Sequence, residues 1–79
     1  MAVSDKEIEA KILELLHRRD EGKTICPSDA ARALAQDWRP LMDDVRKVAK
    51  EMDEVEITQK GRAVDPDAAR GPIRLRLRG

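Results

Sequence analysis

Residues Ile73-Arg74-Leu75-Arg76-Leu77-Arg78 alternate apolar and cationic side chains without a break. Successive side chains of a β-strand point to opposite faces, so this segment sets three apolar groups against three guanidinium groups. A strand with one apolar face needs a partner strand and a core to cover it. A plain helical bundle with a loose tail is thereby disfavoured, and the rest of the chain must supply both.

The partner is legible just upstream. After Asp53 the apolar period becomes 2: Val55 and Ile57 alternate with Glu56 and Thr58, Gly61 punctuates, and Val64 resumes the apolar positions. Asp65 to Pro72 carries two Pro and one Gly in eight residues and reads as an irregular loop. Two antiparallel strands with a long tip are predicted.

Three helical periods precede them. Ser4 and Glu7 stand in capping-box spacing before Ile8, Ile12, Leu15 and Leu16, and Arg18, Arg19 and Gly22 supply the dipole complement and the stop, giving a helix from Ser4 to Arg19. Thr24 and Ile25 form a short strand. Pro27 suits the first position of a second helix reaching about Ala35, with Asp29 near its positive end and a stripe of small residues at Ala30, Ala31, Leu34 and Ala35. Only Gln36 and Asp37 separate this helix from a third. Asp37 is expected as its N-cap, Pro40 falls inside its first turn, and Leu41, Val45, Val48 and Met52 repeat along about four turns with Trp38 and Ala49 on the flanks.

A chain of 79 residues has material for one small domain, expected over 1–79. With one Trp and no Phe or Tyr, its core must be built from Leu, Ile, Val, Ala and Met. Helix, short strand, helix, tight turn, helix and two strands is the order of an α+β winged helix: a three-helix helix-turn-helix core with a C-terminal β-hairpin wing. Neither part buries its apolar face alone, whereas packing one against the other closes a single core.

Over nearly the whole chain the sequence also resembles the small bacterial winged-helix domains catalogued as domain of unknown function 3253. The resemblance is carried by Thr24-Ile25-Cys26-Pro27-Ser28, Trp38-Arg39-Pro40-Leu41-Met42, Glu56-Ile57-Thr58-Gln59-Lys60-Gly61-Arg62 with Asp65-Pro66, and Arg70-Gly71-Pro72-Ile73-Arg74-Leu75. It implies the fold, and no activity comes with it. Some members carry a Cys-rich segment ahead of this domain; none stands in this sequence, so no metal role is carried over.

In a helix-turn-helix the second helix of the pair enters the major groove. At 100° per residue, Arg39, Asp43, Arg46, Lys47 and Lys50 point away from the core stripe of the third helix. Cations there suit phosphates or guanine edges, and Asp43 can accept from cytosine but also repels the backbone. The competing reading is a solvated helix face. Residues 60–79 hold six basic and two acidic groups, so the wing is the basic end, and Lys60, Arg62 and Arg70 are candidates for flanking phosphates. For Arg74, Arg76 and Arg78 the stronger reading is an exposed strand face that keeps a sheet edge soluble.

Sixteen basic groups cancel sixteen acidic ones, which removes any whole-molecule attraction to nucleic acid or membrane. One Cys points to a reduced, cytoplasmic protein, and no apolar run approaches a membrane span or signal peptide. Trp38 reads as a core plug, and Cys26 as a small apolar residue in the cap region of the second helix. His17 lacks a partner at ligand spacing, Asp43 and Asp44 point about 100° apart on a helix, and no Gly-rich phosphate loop is present. No enzyme, metal, cofactor or small-molecule ligand is expected. Two functions stay open: double-stranded DNA binding through the third helix and wing, with a dimer or companion domain needed for tight specific binding, or a protein-interaction module.

Overall fold

The computed structural model describes residues 3–18, 23–65 and 72–78. Helix α1 (Asp5–Arg18) starts where the capping box places it. The Glu7 amide donates to Ser4 Oγ at 3.2 Å, and the Ser4 amide donates back to Glu7 Oε1 at 3.4 Å. Ile8, Ile12 and Leu16 are buried, while Leu15 is only half buried. The Arg19 and Gly22 parts of the stop signal lie outside the described residues.

Strand β1 (Thr24–Ile25) leads directly into α2 (Pro27–Leu34), with Pro27 in the first turn, where its missing amide costs nothing. The Cys26 amide donates to Asp29 Oδ2 at 3.0 Å, the second half of a capping box. Ala30 and Ala31 are wholly buried, the close contact that their small side chains allow.

The third apolar period divides in two. A 3-10 turn, Arg39–Leu41, precedes α3 (Met42–Glu51), and the Leu41 amide donates to the Trp38 carbonyl at 3.0 Å. Asp37 is therefore not the N-cap, and the regular helix is shorter than four turns. Pro40 has no amide to donate and restricts Arg39 before it, so the chain tightens before the α-type ladder can begin. The apolar stripe survives the change: Val45, Val48, Ala49 and Met52 are buried, with Leu41, Met42 and Trp38 half buried against the core.

Strands β2 (Val55–Gln59), β3 (Arg62–Ala63) and β4 (Arg74–Leu77) join β1 in one antiparallel sheet of order β1-β4-β2-β3. The arrangement is α+β and winged-helix-like, with more sheet than a two-stranded hairpin. Lys60 and Gly61 form the β2–β3 turn with φ of 54° and 82°, the paired left-handed geometry of a type I′ turn. Ile25, Leu75 and Ile57 lie side by side on the inner face and close the core against the helices.

The outer face overturns the solubility reading of the three arginines, because β4 lies between β1 and β2 and is not an edge. Strand pairing makes one row of Thr24, Arg76 and Glu56, in which Arg76 forms an ion pair with Glu56. Arg74 donates to Thr24 Oγ1 at 2.8 Å, to the Thr24 carbonyl at 3.2 Å and to Cys26 Sγ at 2.7 Å. Arg78 donates to the carbonyls of Asp53 at 3.0 Å and Val55 at 3.4 Å. Thr58, fully buried, donates to the Arg74 carbonyl at 3.3 Å. Cys26 is the N-cap of α2, as its cap-region reading expects, and its sulfur in addition accepts from a guanidinium.

Candidate nucleic-acid interface

Burial of Val45, Val48 and Ala49, none more than 3% exposed, fixes the rotation of α3 about its axis. The opposite side then carries Asp43, Arg46, Lys47 and Lys50, all exposed, and Arg39 is exposed on the 3-10 turn that leads into the helix. At 1.5 Å per residue, Asp43 to Lys50 spans about 10 Å of helix. Asp43 and Asp44 occupy the first turn, where their carboxylates suit the positive end of the helix dipole. That placement gives Asp43 a structural reason to be present, although it stands on the same face as the cations.

Lys60 and Arg62 are exposed at the β2–β3 turn, and Arg70 lies outside the described residues. Arg74 and Arg76, by contrast, are half buried and bonded within the sheet, and the exposed Arg78 donates to backbone carbonyls beside it. The excess of basic groups in this part of the sequence therefore overstates the charge offered to a partner. Among the described residues, the side chains of Arg39, Arg46, Lys47, Lys60 and Arg62 make no hydrogen bond or ion pair to the protein. Arg46, Lys47, Lys60 and Arg62 are exposed to solvent, where salt screens their charge.

Periodicity missed one feature. Trp38 does pack against the core, as a plug should, but the guanidinium carbon of Arg32 lies 4.6 Å from its ring centre and that of Arg39 5.0 Å. Arg32 belongs to α2 and is exposed. Its approach depends on the turn between α2 and the 3-10 segment, for which six residues of spacing carry no signal.

One carboxylate of α1 serves local structure. Glu14 pairs with Lys11 and with Arg18, the latter at 3.0 Å. The hydrogen bond from Lys11 and the charges of Lys11 and Arg18 hold its carboxyl below the ordinary value. Among the described residues no three His, Cys, Asp or Glu side chains gather into a metal site, and no helix is long and apolar enough to cross a membrane.

None of the curated proteins matches the chain. The family described as protein of unknown function (DUF3253) matches residues 5–78, and the chain belongs to that family.

Proposed function

We propose that the protein is a non-catalytic, cytoplasmic DNA-binding module that lays α3 in the major groove and sets the β2–β3 turn against flanking phosphate. The observation that carries this reading is the outward face of α3 with the 3-10 turn before it, where Arg39, Arg46 and Lys47 are exposed and have no ion pair while most sheet arginines are bonded within the protein. A helix fits the major groove, and cations without carboxylate partners give up no ion pair when they meet phosphate. Lys60 and Arg62 extend the same charge onto the wing. A domain of this size covers little DNA, so tight specific binding calls for two copies or a companion domain.

The test is a titration of labelled random-sequence duplex DNA at 50 and 200 mM salt, followed by anisotropy. Five phosphate contacts give a slope of log affinity on log salt of roughly −4 to −5, a loss of several hundredfold between those concentrations. A flat dependence, or no binding at the lower salt, refutes the reading. Asp43, on the presumed reading face, then favours a protein partner in place of DNA.

A further inference from the structure

Sorting the guanidinium groups by what they touch isolates a pair that the proposed interface does not include as a unit. Arg18, Arg74, Arg76 and Arg78 each bond to carboxylate, hydroxyl or carbonyl groups of the protein. Arg32 and Arg39 do not; their described contact is the ring of Trp38, at 4.6 and 5.0 Å. These two distances place their guanidinium carbons less than about 10 Å apart. A cation over an indole is attracted by the ring's negative face, and a guanidinium so held still offers N–H donors along its edge. Much of the freedom that an exposed arginine loses on binding is already gone, and its bidentate geometry suits phosphate.

We infer that Arg32 and Arg39, held by Trp38, form a phosphate clamp at the α2–α3 turn that fixes the position of α3 along the DNA backbone. This rests on the DNA-binding reading above and adds to it Arg32, a contact on a different helix. Arg39, on the 3-10 turn that runs straight into α3, joins the clamp to the recognition helix. Trp38 is a positioning residue: half buried against the core, it acts on DNA through the two arginines.

Anisotropy titrations of random-sequence duplex DNA between 50 and 200 mM salt test the clamp with the full chain and three variants. Arg32→Gln is expected to make the salt slope shallower by about one and to weaken binding roughly eightfold at 0.1 M salt, the effect of one released counterion. Trp38→Phe keeps both charges, so its slope stays that of wild type while affinity falls about twofold. Lys6→Gln removes an exposed cation of α1 and is expected to change neither. If wild type binds with a steep salt dependence but Arg32→Gln matches it, or Lys6→Gln flattens the slope equally, the clamp is overturned while DNA binding stands. Wild-type affinity in Trp38→Phe overturns the positioning role. If wild type shows no salt-dependent binding, the DNA reading fails and the clamp with it. Should Arg32→Gln melt well below wild type, Arg32→Lys decides: weaker binding at unchanged slope supports bidentate contact, and unchanged affinity overturns it.

Discussion

Replacing Arg74 by Met keeps a long side chain over the sheet and removes its three hydrogen bonds to Thr24 and Cys26. Those bonds tie β1 and the start of α2 to the central strand β4. A hydrogen bond to a charged group contributes about 1.5–3 kcal/mol net, but the sulfur is a weak acceptor. The Thr24 hydroxyl lies on the short outer strand β1, where water can replace the guanidinium. Counting one strong bond in full and the others in part, Arg74→Met costs about 2–3 kcal/mol, and a domain this size loses roughly 10–20 °C in Tm. Arg74→Lys recovers little, because one ammonium cannot reproduce the guanidinium fork. Arg76→Met, which breaks a half-exposed ion pair, costs about 1 kcal/mol or less. Urea unfolding followed by Trp38 fluorescence measures all three, with an unchanged m-value confirming that only stability has moved. An Arg74→Met variant within about 0.5 kcal/mol of wild type behaves as a solvated surface substitution and refutes the clamping of β1.

The β2–β3 turn offers a second test: Gly61→Ala costs about 1 kcal/mol by conformation alone, since no atom lies within 4 Å of the new methyl group, and Lys60→Asn stabilises by a few tenths because Asn tolerates positive φ. Equal melting temperatures for wild type and Gly61→Ala refute the turn assignment. Glu14 has a folded-state pKa below its unfolded value, so its contribution is complete above about pH 4.3 and is lost as pH falls through the folded value. Urea midpoints for wild type and Glu14→Gln are therefore expected to converge between pH 5 and 3, and a constant gap refutes the pairing with Lys11 and Arg18. In the DNA titration, Asp43→Lys is expected to strengthen binding and steepen the salt slope by about one, whereas unchanged binding removes α3 from the contact surface.

The parts of the fold legible in the sequence are those set by short-range period. Ser4 and Glu7 announce a cap because each reaches the other's amide across three residues, and the burial of Ile8 and Ile12 follows from helical spacing. The outward face of α3 was legible for the same reason: each of the five expected residues is exposed, four on α3 and Arg39 on the 3-10 turn before it. Hydrogen bonding at the start of α3 was not, because the apolar stripe continues through the 3-10 turn and hides the effect of Pro40. Nor does alternation at Arg74, Arg76 and Arg78 tell what lies across from them. It assigns a face, while the two-residue strand β1 that converts β4 from edge to centre has too few residues to show a period. Arg32 escaped notice because its position over Trp38 comes from a turn, where no periodicity operates.

The central place of β4 bears on how the chain can fold. Thr24 pairs with Arg76, so the sheet cannot close around its middle until residues some fifty positions apart have met. The helical pairs α1–α2 and α2–α3 are local by comparison and lose little chain entropy in forming. Yet Ile25 and Ile57, from strands on either side of β4, cover the helices only when Leu75 stands between them. A partial assembly of helices would leave its apolar stripe open to water, so the need for the distant strand favours a cooperative domain. The packing that fixes the orientation of α3 is then complete only in molecules whose distant strands have already found each other.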